Sequence, residues 1–442
     1  MSLLVVEGGI PLIGTVHLSG SKNSSVALIP AALFSNDDVV LDNIPHVGAV
    51  DALISIIKSM GGKAEWVSKN KLLINGASLE TFEVPYELGS IYRNTGLFAG
   101  PLMFRFGQAV LPKQDPNIIL AKPINRWVDS WKALGIDVKE DEKFIYLKAE
   151  QVVGTTINFK INTHMGTGNA ILSSLFGGGE TTILNAAEEP EIDDLISFCN
   201  ELGADVDRIE PRKIKVTGKH LFKGGSFKVQ NDRDEAVTYA VGALVTNGNV
   251  SIKGIEKGSL TSFTNVLTKM GANFEFSGEE MRIWHANEAL NPVEINTAPA
   301  PGFMTHWKSL IALLATRANG VSLIHDTVFI DRFEFTSDLN RMGAKIEMLK
   351  PSEAGIVPVI SDDSYDFAYK GEPYTIARIT GPTKLKGSKT HIIDLRAGAV
   401  MILAALCAAG KSEIGGFENV SRGYEDFFDK LSSLGAQFSY VN

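Results

Sequence analysis

KSMGGKAEW at 58–66, KALGIDVKE at 132–140, NELGADVDR at 200–208, TKMGANFEF at 268–276, NRMGAKIEM at 340–348 and SSLGAQFSY at 432–440 are one phrase written six times. The glycines Gly61, Gly135, Gly203, Gly271, Gly343 and Gly435 lie 74, 68, 68, 72 and 92 residues apart. Six units of similar size are implied. Each phrase closes an amphipathic segment such as AVDALISIIKSM (49–60) or LTSFTNVLTKM (260–270). It then sets glycine where a helix C-terminus wants positive φ, and opens a strand-like alternation.

Upstream of each phrase stands a second, more apolar segment, for example NSSVALIPAALF (23–34), GNAILSSLF (168–176) and AGAVMILAALCAAG (397–410), in most units followed by a short strand. These segments are apolar nearly all round, so they predict buried helices, whereas the amphipathic ones face water on one side. Six units divide naturally as three plus three, with a crossing between 219 and 232, where KGGSFKVQND lies. The opening strands in LLVVEGGIPLIGTVHLS (3–19) precede the first repeat helix and need a partner sheet. The polar, aromatic stretch SDDSYDFAYKGEPY (361–374) lengthens the last interval and reads as a surface insertion, and the glycine run FGGGET (176–181) reads as a turn after a helix.

Composition narrows the class. A chain of 442 residues is long for one core, and 44% hydrophobic with 21% charged residues describes a folded globular protein. A net charge of −9 excludes a broad basic face for nucleic acid, while leaving room for local clusters that hold a small anion. The longest apolar run is too short to span a bilayer, and no signal-type segment opens the chain, so a cytoplasmic location away from membranes is expected. Cys199 and Cys407, the only cysteines, sit in apolar helical patterns and read as core rather than as a disulfide or metal pair.

The chemistry is concentrated where the apolar helices begin: SGSKNSS, IYRNTG, THMGTGN, NDRDEA, FMTHWK and IDLRAG bring Lys22, Arg93, His164, Arg233, His306 and Arg396 to those starts. A cation at a helix N-terminus is unfavourable by roughly 0.3–1 kcal/mol, so its recurrence asks for an anion that side chain and helix dipole both hold. Asp232, Asp234 and Asp394 are nearby carboxylates that could instead pair with these cations. Arg332 in TVFIDRFEF and Arg422 in NVSRGYEDF add two further basic loop residues. No phosphate-binding P-loop, dinucleotide glycine motif, zinc-protease HExxH or nucleophile elbow is present.

LSGSKNSSVALIPAALF, FAGPLMFRFGQAVLP, NAAEEPEIDDL, TAPAPGFMT, TVFIDRF, RMGA, DLRAG and SRGYEDFFDKL, in this order along nearly the whole chain, resemble the enolpyruvyl transferases: UDP-N-acetylglucosamine 1-carboxyvinyltransferase and its relative enolpyruvylshikimate phosphate synthase. The resemblance implies a two-lobed inside-out α/β barrel of six βαβαββ repeats, three per lobe. Lobe one is expected at 22–230, with a mobile catalytic loop near 111–122. Lobe two is expected at 1–21 plus 231–442, with the insertion near 361–374, and the site lies in a cleft that closes on substrate. The reaction implied is transfer of the enolpyruvyl group of phosphoenolpyruvate to the 3-hydroxyl of UDP-N-acetylglucosamine with release of phosphate, the entry to peptidoglycan synthesis. It needs no cofactor or metal, and implies no nucleic-acid or obligate protein partner.

By the same resemblance Lys22, Lys122 and Arg422 hold the phosphate, and Arg332 and Arg396 the carboxylate. Asn23, Arg93, Lys122, Pro123, Ile124, Asn125, Arg126, His164, Met165, Gly166 and Val328 line the UDP-sugar site, and Asp394 stands beside the reacting centre. One acid must protonate the methylene carbon and one base must take the hydroxyl proton. Asp115, in LPKQD, occupies the acid's position in a loop about two residues longer than the family's. His306 stands where the family has the aspartate base, and histidine can serve as a base near neutral pH. The family's R-P-x-D-x-H reads Lys122-Pro123-Ile124-Asn125-Arg126-Trp127, and its E-N-R reads Ile330-Asp331-Arg332. These departures gather on the acceptor side, so a paralogue using another nucleotide or sugar, or a non-catalytic UDP-sugar binding homologue, are the alternative readings.

Overall fold

The computed structural model describes residues 3–115, 124–285, 288–330, 332–359, 365–392 and 395–441, with the backbone alone at 395 and 396. The chain divides into two compact units, one of Ser19–Gln230 and one of Met1–Leu18 with Asn231–Asn442. Each has its own hydrophobic cluster.

The repeated phrase folds the same way at all six places. Its glycines have φ of 89°, 79°, 95°, 73°, 106° and 102° in chain order. In each case the following amide reaches back five residues to a helix carbonyl: Gly62 to Ile57, Ile136 to Trp131, Ala204 to Cys199, Ala272 to Leu267, Ala344 to Leu339 and Ala436 to Leu431, at 2.9–3.0 Å. This bond satisfies an orphan carbonyl at the helix end and turns the chain into the next strand.

Those strands build small mixed sheets with one recurring order: a parallel pair, then two antiparallel neighbours. In the unit of Ser19–Gln230, Gly225–Lys228 runs parallel to Val39–Asp42, which pairs with Lys71–Asn75 and that with Lys63–Ser68. Thr156–Asn158, Glu180–Leu184, Lys213–Thr217 and Asp205–Glu210 repeat the order. Gln108–Pro112, Phe144–Lys148 and Asp137–Glu140 form a three-stranded version, with Glu83 bridging parallel to Val110.

In the other unit the opening segment finds two separate sheets. Leu3–Glu7 lies between Lys411–Gly415 and Gln437–Val441, and Ile13–His17 runs parallel to Asn249–Lys253. The third sheet is Glu294–Asn296, Gly320–His325, Ile376–Gly381 and Ile346–Leu349. All these sheets are open, and among the described residues none closes on itself, which corrects the expectation of a barrel to a mixed α/β fold. Each four-stranded sheet is built of strands of three to six residues and ends in two edge strands that pair with no further strand among the described residues.

The apolar helices are buried as their composition demands. Arg233–Val245, Lys308–Ala315 and Leu395–Cys407 pack against one another. Ala99–Phe106 contacts Lys22–Ala31 and His164–Ser174. By contrast Gly48–Ser59 buries Val50, Leu53, Ile54 and Ile57 and exposes Asp51, Ser55 and Lys58. At about 1.5–3 kcal/mol per fully buried large aliphatic side chain, this burial is what opposes the entropy of ordering the chain.

Three local expectations change. Arg93 and His306 do not open α-helices; they lie in 3-10 turns, Arg93–Phe98 and Thr305–Trp307, that lead into Ala99–Phe106 and Lys308–Ala315. Tight turns of this kind accommodate the bulky Phe98 and Trp307, which are buried at the junctions. The glycine run is more than a turn: Gly177–Gly178 pairs parallel with Val152–Val153. The described part of the expected insertion holds one short exposed helix, Phe367–Lys370, while 361–364 lie outside the described residues. Among the described residues no helix is long and apolar enough to cross a membrane.

Candidate active site

In the unit of Ser19–Gln230, Lys22 and Asn23 are the first residues of the buried helix Lys22–Ala31. Ser21 caps it by accepting from the Ser24 amide at 3.2 Å, and the Ser21 amide donates to the Gln230 carbonyl at 2.7 Å. The Gln230 amide in turn donates to Asp194 at 3.3 Å, and Gln230 Nε2 to Ser24 Oγ at 3.2 Å. Burial raises the Asp194 carboxyl to about 6; bonds from Ser24 and Gln230 oppose the rise and the charge of Glu191 adds to it. Lys22 therefore starts from a helix end tied to residues about 170 and 210 positions away in the chain. His164, Met165 and Gly166 open His164–Ser174, whose cap Thr163 accepts from the Gly166 amide at 3.2 Å.

Arg93 lies over the Trp127 ring at 5.1 Å. Burial, with the charge of Arg126 as a second cause, lowers the Arg93 guanidinium to about 10. Arg93, over the buried indole, is disfavoured by the neighbouring charge of Arg126, and an anion there relieves the repulsion. Trp127 can enter because Gly96 has no side chain: a Cβ there would stand 1.6 Å from the indole. Asn125 begins Asn125–Ala133 and is exposed, with Ile124 at the cap position. Asp115 ends the described part of its loop, its amide donating to the Ser90 carbonyl at 3.1 Å. Lys122 and Pro123 lie outside the described residues, as does Asp394, and the Arg396 side chain is also outside them.

In the other unit, His306 meets a partner that its local sequence does not announce. His306 Nε2 is 2.8 Å from Asp234 Oδ1, and the neighbouring Trp307 Nε1 donates to the same oxygen at 2.7 Å. Arg233 lies over the Trp307 ring at 5.5 Å. Burial pushes the Asp234 carboxyl up, but His306 when protonated, the Arg233 charge and the two ring N–H groups outweigh it and hold Asp234 well below the usual carboxylate range. Asp232 caps the same helix, accepting from the Asp234 and Glu235 amides at 2.8 and 3.2 Å.

A second carboxylate organises the loop that carries Val328. Asp326 Oδ1 accepts from Thr297 Oγ1 at 2.7 Å and from the Val328 and Phe329 amides at 3.0 and 3.2 Å; its Oδ2 accepts from Thr305 Oγ1 at 2.9 Å and from Lys308 Nζ. The side chains of Lys308 and Asp326 are 4% and 0% exposed. Thr305 and Lys308 flank His306, so one buried carboxylate ties the His306 turn to the Val328 loop. Arg332 follows on that loop, over the Phe329 ring at 4.2 Å. Arg422 ends Phe417–Arg422 and is exposed.

Within each unit the structure thus brings together Arg93, Arg126 and Trp127, and separately His306, Val328 and the carboxylates Asp234 and Asp326. Lys22 and His164 start separate helices. Sequence reasoning missed Asp326, Lys308 and Trp307, and named Asp234 only as a carboxylate near the cations. One signal was available for Asp234: it and His306 stand at the same place in successive repeats.

The comparisons with known proteins agree in direction. The family described as EPSP synthase (3-phosphoshikimate 1-carboxyvinyltransferase) matches residues 6–431. UDP-N-acetylglucosamine 1-carboxyvinyltransferase 3 of Caldanaerobacter subterraneus subsp. tengcongensis is 34% identical over 436 residues, covering 99% of this chain and 98% of that protein. UDP-N-acetylglucosamine 1-carboxyvinyltransferase 2 of Bacillus subtilis is 32% identical, covering 99% and 96%. Among solved structures, the enolpyruvyl transferase NikO from Streptomyces tendae superposes with a TM-score of 0.85 at 22% identity, covering 100% of this chain and 99% of that one, and shows the fold alone. With the family matched along almost its whole length, by sequence and by fold, this chain belongs to the family of EPSP synthase (3-phosphoshikimate 1-carboxyvinyltransferase), the enolpyruvyl transferases.

Proposed function

We propose that this protein transfers the enolpyruvyl group of phosphoenolpyruvate to the 3-hydroxyl of UDP-N-acetylglucosamine, releasing phosphate at the entry to peptidoglycan synthesis, in the cytoplasm. The observation that carries this reading is relatedness along the full chain to curated transferases of that name. Behind it we read two lobes, each of three βαβαββ units, a reading the recurring sheet order supports.

The residues take these roles. Lys22, Lys122 and Arg422 hold the phosphate, and Arg332 and Arg396 the carboxylate. Fixed cations stabilise the charge that rearranges as the acceptor oxygen bonds to C2 of the enolpyruvyl group. Asp115 gives a proton to the methylene carbon and His306 takes the hydroxyl proton, forming a tetrahedral adduct. Loss of a proton from the new methyl group and cleavage of the C2–O bond to phosphate restore the double bond. Asn23, Arg93, the stretch 122–126, His164, Met165, Gly166 and Val328 receive the UDP-sugar, with Asp394 beside the reacting centre.

A second acceptor is favoured by one observation, the buried Trp127 carrying Arg93 on its face next to Arg126. Phosphate release from phosphoenolpyruvate with a panel of acceptors separates the readings. Release with UDP-N-acetylglucosamine supports the first, and release only with another nucleotide or sugar moves the protein to a paralogue. No release with any acceptor reduces it to a binding homologue.

A further inference from the structure

Asp234 is 72 residues from His306 in sequence and bonded to it in the fold. We propose that Asp234 is the positioning residue of a His306–Asp234 pair: its carboxylate accepts a hydrogen bond from Nε2–H, and so fixes the imidazole with its lone pair on Nδ1 to take the acceptor's hydroxyl proton. The inference rests on the reading of His306 as the base and supplies the device that makes a histidine serve there.

The tautomer follows from donors and acceptors. An indole N–H can only donate, so the Trp307 bond at 2.7 Å makes Asp234 Oδ1 an acceptor. His306 Nε2 is 2.8 Å from that same oxygen. If Nε2 carried the lone pair, two acceptors would face each other at bonding distance. Nε2 therefore carries the proton, and in the neutral ring Nδ1 is left to accept one. The ring is held as well as oriented: Trp307 is 1% exposed and meets the His306 ring edge-on at 5.8 Å and 80°. The His306 and Asp234 side chains are 15% and 25% exposed, so the pair is screened from bulk water but reachable.

The surrounding charges are compatible with this arrangement. Arg233 precedes Asp234 and lies over Trp307, Asp232 and Glu235 flank it on the same helix, and Glu235 is engaged by Lys430 at 3.0 Å. Lys308, two residues from His306, is taken by Asp326. Tyr424, whose hydroxyl is 2.9 Å from Thr238 Oγ1, is kept protonated, mainly by its burial and further by Asp234, Asp232 and Glu235. This division of labour, a carboxylate that orients an imidazole without itself taking the proton, is the logic of the hydrolase triads.

Asp234→Leu tests it in the full chain, with Asp234→Asn beside it. Both bonds go to one oxygen, so the asparagine oxygen can still accept from Trp307 Nε1 and from Nε2–H and keeps the tautomer without the charge, whereas leucine removes the acceptor. With ¹⁵N-histidine labelling, the wild type and Asp234→Asn should show His306 protonated at Nε2 at alkaline pH, and Asp234→Leu should show a mixture of the two tautomers. In Asp234→Leu phosphate release should fall by roughly 10²–10⁴ in kcat with KM for the acceptor within about threefold, and Asp234→Glu should recover part of the loss.

A wild-type spectrum with Nδ1 protonated overturns the proposal, as does full turnover in Asp234→Leu when His306→Ala is inactive. If His306→Ala keeps full turnover, the base reading itself falls. In that case the wild-type spectrum still reports, separately, whether Asp234 sets the ring. Should Asp234→Leu fail to fold, Trp307→Phe, which removes one donor and leaves the carboxylate, should retain the Nε2 tautomer; its loss overturns the proposal equally.

Discussion

At the level of single residues, the decisive positions are those whose chemistry is set by a partner. Asp194 is one. Its carboxyl binds a proton more tightly in the folded chain, about 6, than the roughly 3.9 of an unfolded aspartate, so its contribution to stability is present below about pH 4 and lost as pH rises toward 6. Urea titrations of wild type and Asp194→Asn across pH 4–7 should therefore converge at the acid end. The mutant should be equal or more stable at neutral pH, by of order 1–2 kcal/mol, and a mutant weaker at pH 7 than at pH 4 relative to wild type would contradict this. Lys308 is a second. Lys308→Met leaves Asp326 buried without its cation, and a loss of about 3–5 kcal/mol is expected from urea unfolding. Gly96→Ala would place a methyl group inside the Trp127 ring, for an expected cost of about 1–3 kcal/mol and a changed fluorescence of that indole.

At the level of elements, the six helix-to-strand junctions were legible because everything they need is local. Glycine, a preceding amphipathic helix and a bond reaching back five residues all lie within one short window. Gly203 separates conformation from sterics, since a Cβ there would meet nothing closer than Lys223 at 3.9 Å. Gly203→Ala should cost roughly 1–2 kcal/mol, the penalty of the left-handed region alone, read from the shift in urea midpoint at unchanged slope. The 3-10 turns at Arg93–Phe98 and Thr305–Trp307 were not legible. Their tight winding is set by where Phe98 and Trp307 are buried, and a window of sequence does not contain that information.

At the level of the whole molecule, the two units differ in how the chain builds them. Ser19–Gln230 is continuous and contains every strand of its sheets, whereas the other unit needs Leu3–Glu7 between two C-terminal strands and Ile13–His17 beside Asn249–Lys253. A fragment of 19–230 is expected to fold, and one of 231–442 to fail until 1–18 are restored, as judged by circular dichroism melts and amide dispersion in NMR spectra. The sequence by itself determined the repeat, its junction glycines, the burial pattern of its helices and the family, because periodicity, turn chemistry and motif order are properties of neighbours along the chain. Tertiary packing decided that the sheets stay open, that Asp326 joins the His306 turn to the Val328 loop, and that Asp234 meets His306. The bonds of Lys308 to Asp326 and of His306 to Asp234 join residues 18 and 72 positions apart, and which of many carboxylates reaches which partner is settled by packing alone.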